Sequence, residues 1–221
     1  VIFIGLEIMS ISSYILVGMK RKVPESGEAA LKYLLLGAFS TGFLLYGISL
    51  LYGATGSTYL PDMLQQLRLG AVKTPLALAG IALLTIGLSF KVAIVPFHMW
   101  TPDVYSGAPT PVTGFMSAAA KAAGFAIMIR ILLVGIPLEQ VEGWETILGW
   151  LAMLTMTIGN LVALQQQNVK RMLAYSSIAH AGYMMVAIAV GTAAAIGSVL
   201  FYALAYACLL YTSDAADDRL S

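Results

Sequence analysis

Charge is what this sequence has least of. Only 10% of its 221 residues are Asp, Glu, Lys or Arg, against about 25% in a soluble domain. Mean hydropathy is +0.86 and 59% of the residues are hydrophobic. That balance excludes a soluble domain with a large core. It indicates an integral membrane protein, in which spans rather than globular domains are the units to count. An excess of one sign is also missing: 12 basic and 11 acidic residues leave a net charge of +1, so nothing points to nucleic acid. Cysteine is nearly absent. The single Cys208 excludes an internal disulfide framework, a four-cysteine zinc site and an iron–sulfur cluster ligated within the chain. No GxGxxG opens a helix after a strand. "GAFSTG" (37–42) has two glycines at P-loop spacing but no Lys-Ser/Thr after them. No Ser-His-Asp constellation stands out, and His98 has no second metal ligand near it. NADH, flavin, clusters and metals therefore have no site of their own here. An initiator methionine and a basic leader are lacking before Val1, which reads as a start inside a helix rather than a signal peptide.

What is present is a succession of apolar runs. A helix needs about 20 mostly apolar residues to cross a bilayer. Seven runs qualify: 1–19, 31–53, 75–97, 112–134, 146–164, 172–191 and 194–211, the last incomplete. Backbone groups in lipid must bond internally, so these are helices, and no stretch alternates as an outer-membrane strand does. The fold class is all-α polytopic. Lys and Arg favour the cytoplasmic side. "KRKVPESGE" (20–28) holds three of them and "QQQNVKR" (165–171) two, whereas 135–145 holds three glutamates and none. Loops 20–28 and 165–171 are thus assigned to the cytoplasm. Arg68 and Lys73 in 54–74 weaken that orientation without reversing it.

Ionisable residues inside spans are costly and face the protein interior, so each is a candidate functional residue. Glu7 shares a helical face with Ser10 and Tyr14; the competing reading is a carboxyl that reaches water at a span end. Lys91 precedes Pro96 in "FKVAIVPFHMW". Pro96 cannot donate to the carbonyl of residue 92, so the helix breaks or kinks just after the lysine. Broken membrane helices mark ion pathways, and Lys91 lies too far from either span end to snorkel easily. Lys121 stands among Ala118, Ala119, Ala120, Ala122, Ala123 and Gly124, small residues that let helices approach closely. Burying an amine favours its neutral form and a carboxylate neighbour favours the charged one, so a lysine–glutamate set can pass protons. For Lys32, near a span start, snorkelling weighs equally. His180, with Ser176 and Tyr183 at helical spacing, suits either a structural bond or a proton path. Asp103 lies in a Pro-rich connector, Arg130 snorkels, and Glu139, Glu142 and Glu145 read as a solvated loop.

"FKVAIVPFHMWTPDVYSGAPTPVTGFMSAAAKAAGFA" (90–126) resembles the antiporter-like membrane subunits of respiratory complex I. With "GLEIMSISSYILVG" (5–18), "EAALKYLLLGAFSTGFLLYG" (28–47) and "NVKRMLAYSSIAHAGYMMVAI" (168–188), the likeness is to the subunit N branch of bacterial NADH-quinone oxidoreductase. It extends over residues 1–207, a partial antiporter-like proton-translocating domain that corresponds to the family's fifth to eleventh helices. The resemblance implies that Glu7, Lys91, Lys121, Lys32 and His180 match the family's buried relay. In it, protons move along a hydrated axis driven by quinone reduction in other subunits. The chain itself is then expected to bind no cofactor. NADH, FMN, iron–sulfur clusters and quinone belong to partner subunits, and the partners are other membrane subunits of complex I within the bacterial inner membrane. On this reading Glu7 pairs with Lys91 across neighbouring helices, and Lys121 takes the proton next. Residues 208–221, "CLLYTSDAADDRLS", do not resemble the family's continuation and are expected to be a non-native tail. The rival readings are a subunit of a multisubunit sodium/proton antiporter, with no redox chemistry, and a scaffold whose lysines only hold helices together.

Overall fold

Several helix ends carry the capping residues that their sequence supplies. The computed structural model describes residues 1–217. Helix α1 (Ile2–Val17) is followed by α2 (Pro24–Thr55), which opens with proline in its first turn and ends at Gly56, φ 71°. Helix α4 (Pro75–Val92) opens on Thr74, whose side chain accepts from the Ala77 amide at 3.3 Å. Helix α8 spans Trp144–Leu164. Helix α9 (Val169–Val190) is capped in the same way by Asn168 and closes at Gly191, φ 69°. Thr110 to Val134 is one long helix in four parts: α6 (Thr110–Phe115), a π-turn (Met116–Ala120), α7 (Lys121–Ile129) and a second π-turn (Arg130–Val134). Helix α10 runs Ala193–Asp217, through position 208. Residues 218–221 of the expected tail lie outside the described residues.

Five of these helices are long and apolar enough to cross a membrane: Pro24–Thr55, Pro75–Val92, Thr110–Val134, Trp144–Leu164 and Val169–Val190. Ile2–Val17 and Ala193–Leu209 are shorter apolar helices at the first and last expected spans. No strand occurs among the described residues. The all-α membrane architecture is as expected. The solvent-to-core pattern is inverted, as lipid requires: α1 turns Ile4, Ile8, Ile11 and Ile15 outward and buries Ser10 and Ser13.

Helix α2 lies directly on α4. A Cβ on Gly47 would come within 2.8 Å of the Leu84 amide and 2.9 Å of the Gly80 carbonyl. Only glycine permits that approach. Arg171 and Lys32 meet at Asp103, which brings the starts of α2 and α9 to one end of the bundle. Arg68 and Glu139, 3.5 Å apart, join the other two loops at the opposite end. Two stretches expected to be irregular are helical instead. In 54–74, α3 (Leu60–Arg68) buries Met63 and Leu67 one turn apart. In the Pro-rich connector, α5 (Trp100–Gly107) is pinned by packing: Trp100 Nε1 donates to the Phe90 carbonyl at 3.0 Å, and its ring stacks on Tyr33.

Candidate functional site

The span carrying Lys91 stops early. Helix α4 ends at Val92 and Ala93 takes a left-handed conformation, φ 63°, which costs an L-residue about 1–2 kcal/mol. The turn is held from two sides. The Val95 amide donates to Thr155 Oγ1 of α8 at 3.0 Å, and Trp100 caps the Phe90 carbonyl. The discontinuity expected near Lys91–Pro96 is therefore present, and it leaves Lys91 in the last helical turn, where the backbone dipole favours a cation.

Lys91 is 5% exposed and Glu7 21%. Lys91 Nζ donates to Glu7 Oε1 at 3.3 Å and to Ser10 Oγ at 2.7 Å. Ser10 sends its own hydrogen to the Leu6 carbonyl at 2.7 Å, so its lone pairs face the ammonium. Thr41 Oγ1 of α2 donates to the same Glu7 oxygen at 2.9 Å. Three helices thus converge on one ion pair.

Lys121 is 3% exposed and begins α7 immediately after a π-turn, a distortion that often accompanies functional sites. Its Nζ donates to the carbonyl of Ser177 at 2.8 Å and to Ser177 Oγ at 2.6 Å. Among the described residues no carboxylate pairs with it. A Cβ on Gly124 would lie 2.7 Å from Val92 Cγ1, so the small residues around Lys121 serve to bring α7 against the end of α4, beside Lys91.

His180 does not bond Ser176. Its Nδ1 pairs with the Tyr202 hydroxyl of α10, and the rings of Tyr183, Tyr202 and Tyr206 surround it at 5.7, 5.8 and 4.7 Å. The Tyr183 hydroxyl accepts from Asn160 instead, at 2.9 Å. Lys32 is set apart from the buried pair. It is 45% exposed and bonds Glu28 at 2.7 Å and Asp103 at 3.0 Å. It lies eight residues, about 12 Å along α2, from Ser40, which bonds the Gly87 carbonyl one turn before Lys91. Asp103 gives its other oxygen to Arg171 Nη1 at 2.7 Å. Burial pushes the Asp103 carboxyl up, but Lys32 and Arg171 outweigh it and hold the group below the usual carboxylate range. Arg130, Glu139, Glu142 and Glu145 are exposed.

A buried lysine–glutamate pair at a broken helix, with a second buried lysine on the helix packed against the break, is a specific arrangement. The family model described as "NADH:quinone oxidoreductase/Mrp antiporter, TM" matches residues 1–212. The chain belongs to this family. Over 206 residues it is 56% identical to "NADH-quinone oxidoreductase subunit N" of Trichlorobacter lovleyi, covering 93% of this chain and 42% of that protein. It therefore spans about two-fifths of the length of that curated relative. Among solved structures it is similar to a chain of "Respiratory complex I from Thermus thermophilus with bound Aureothin", with TM-score 0.76 and 44% identity over 95% of this chain and 44% of that one. The Mrp complex of Dietzia sp. contains a chain with TM-score 0.80 and 24% identity, covering 94% of this chain and 39% of that one. That second likeness shows the fold alone.

Several residues in these contacts were not singled out from the sequence, namely Thr41, Thr155, Ser177 and Tyr202, and Asp103 was read only as part of a connector. Short hydroxyl residues in membrane helices ordinarily bond their own preceding turn. Thr155 does so, and also takes the Val95 amide. Ser177 faces Lys121 only because α9 crosses α7 there. Asp103 carried a signal, a carboxylate in a chain with few charges, but its cationic partners are 71 and 68 residues away.

Proposed function

We propose that the chain is a proton-translocating part of the membrane arm of a bacterial NADH:quinone oxidoreductase. It would act as a non-redox translocase subunit coupled to quinone reduction in other subunits. The observation that carries this reading is the Glu7–Lys91 pair at the end of a broken helix, 3.3 Å long and shared with Ser10. While paired, Lys91 keeps its proton. When a neighbouring subunit loosens the pair, Lys91 gives its proton toward Lys121, whose partners Ser177 Oγ and carbonyl are neutral. An amine held only by neutral groups in a buried site can be emptied again. His180 and Tyr202 extend the polar line into α10. Lys32 serves as a charged group at the mouth of the bundle.

The same reading places loops 20–28 and 165–171 in the cytoplasm and the helices in the inner membrane. NADH, FMN, iron–sulfur clusters and quinone are assigned to partner subunits. Identity of 56% to a subunit N and 44% to a complex I chain favours this over the sodium/proton antiporter, for which the 24% likeness supports only a shared fold. The test is proton pumping by membrane vesicles carrying Lys91→Ala or Lys121→Ala in the complete subunit, with NADH:quinone turnover and assembly measured alongside. Loss of pumping in an assembled complex is expected. Unchanged pumping would sink the relay, and pumping without a redox partner would favour the antiporter.

A further inference from the structure

We propose that Asp103 is a positioning residue, a latch that clips α5 to α2 and α9. The latch keeps an aromatic plug closed between the lysine-bearing end of the bundle and the buried Lys91 and Lys121.

Two helices show the same order of parts. Along α2, Lys32 bonds Asp103, Tyr33 lies in the plug, and Thr41 bonds Glu7; the nine residues cover about 14 Å. Along α9, Arg171 bonds Asp103, Ala174 is buried in the plug cluster, and Ser177 bonds Lys121; these six residues cover about 9 Å. Helix α5 carries the latch and the plug together. Asp103 splits its two oxygens, Oδ1 to Arg171 at 2.7 Å and Oδ2 to Lys32 at 3.0 Å. Trp100 and Tyr105 on the same helix are buried.

The plug itself is continuous. Tyr33 and Trp100 stack at 4.5 Å with an interplanar angle of 12°, and Tyr14 meets Tyr33 edge-on at 4.7 Å. Phe90 and Tyr105 flank Trp100 at 5.5 and 6.0 Å. Phe90 is the residue before Lys91, so the plug ends where the ion pair begins. Helix α5 is also pressed into its seat at the far end. A Cβ on Gly107 would come within 2.6 Å of the Glu25 carbonyl, and Lys170 Nζ donates to the Ala108 carbonyl at 3.2 Å.

Two further observations give the latch a direction. Ser89 Oγ and Thr101 Oγ1 are buried near the α4–α5 junction without a hydrogen-bond partner among the described residues. Buried polar groups demand partners, and water admitted past the plug supplies them. Asp103 is also the carboxylate that Lys32 and Arg171 share. Without it those two cations face each other across α5, Lys32 keeps only Glu28, and their repulsion drives α2 and α9 apart. Exposed ion pairs add little to stability; the role proposed for this network is to hold the gate closed.

The purpose of the latch rests on the proton-translocation reading, but its test does not. The complete subunit is assembled in its membrane with every native cysteine replaced by serine as background and Ala174→Cys as probe, without NADH. A membrane-impermeant thiol reagent is applied from the side bearing residues 20–28. Asp103→Asn is expected to raise the labelling rate at least tenfold, and Asp103→Glu to leave it near the parent rate. A second probe, Leu138→Cys, buried at the opposite end and labelled from that side, is expected to stay unchanged. An unchanged rate at position 174, or an equal rise at both probes, overturns the latch. If the latch holds while Lys91→Ala and Lys121→Ala still pump protons, the proposed function falls and the gate stands.

Discussion

Lys91 of α4 holds two acceptors on α1 at once, Glu7 Oε1 at 3.3 Å and Ser10 Oγ at 2.7 Å. Because Ser10 is the nearer partner, the ammonium can leave Glu7 without losing every hydrogen bond. Breaking a buried pair by removing one member costs about 3–5 kcal/mol, and here Ser10 absorbs part of that. Glu7→Gln is therefore expected to leave the subunit assembled while abolishing most proton pumping. Vesicle pumping normalised to assembled complex checks it. Pumping at the parent level would show that the pair has no part in translocation.

Thr41 acts on the same carboxylate from α2, donating at 2.9 Å. A hydrogen bond to a charged group is worth about 1.5–3 kcal/mol. Thr41→Val keeps the shape and removes the donor, so Glu7 turns more freely and the pair forms less often. The expected result is a several-fold drop in pumping, smaller than that of Glu7→Gln, with Thr41→Ser restoring it. Equal activity of the Val and Ser variants would remove Thr41 from the site.

Gly47 sets the distance between α2, which carries Thr41, and α4, which carries Lys91. A Cβ there meets backbone, the Leu84 amide at 2.8 Å and the Gly80 carbonyl at 2.9 Å, and backbone cannot rotate away. Gly47→Val is expected to lower stability by about 1–3 kcal/mol and to reduce the yield of assembled subunit. Thermal unfolding of the purified protein measures it. The exposed Gly5, with nothing within 4 Å of its Cβ position, serves as a control for valine in a helix.

The spans, the helix break and the ionisable residues inside spans were legible because each is a local property of sequence. Pro96 announces the break, although α4 already stops at Val92 with Ala93 left-handed, and Ser10 shares a face with Glu7 by helical spacing alone. What was not legible depends on which helices cross. Nothing near Lys121 in the chain announces Ser177, 56 residues away, and nothing near Lys32 announces Asp103. His180 shows the limit most clearly. Its helical neighbours Ser176 and Tyr183 looked like partners, yet the hydroxyl that reaches it comes from α10. Helix α5 was hidden for a different reason. Its eight residues are held by tertiary contacts to Phe90 and Tyr33, not by propensity.

Asp103 gives a pH dependence of definite sign. Lys32 and Arg171 hold its carboxyl below the usual range against the opposing effect of burial. Its contribution to stability is therefore complete above the unfolded carboxylate value, about 3.9, and is lost as pH falls through the lower folded value. Thermal midpoints of the parent should fall more steeply than those of Asp103→Asn below about pH 4. Parallel curves would show that the network contributes nothing measurable.

Lys121 separates a proton carrier from a structural cation. Its Nζ is held by one carbonyl and one hydroxyl of Ser177 and by no carboxylate among the described residues. A structural cation needs only to stay charged and donate, and arginine does both. A carrier must lose its proton, and arginine does not, because its guanidinium stays protonated at any working pH. Lys121→Arg is therefore expected to assemble and to lose pumping, with NADH:quinone turnover falling in step because the two are coupled. Ser177→Ala, which removes the 2.6 Å hydroxyl partner but leaves the 2.8 Å carbonyl, is expected to slow pumping without stopping it. If Lys121→Arg pumps normally, the amine only ties α7 to α9, and protons cross the bundle by another route.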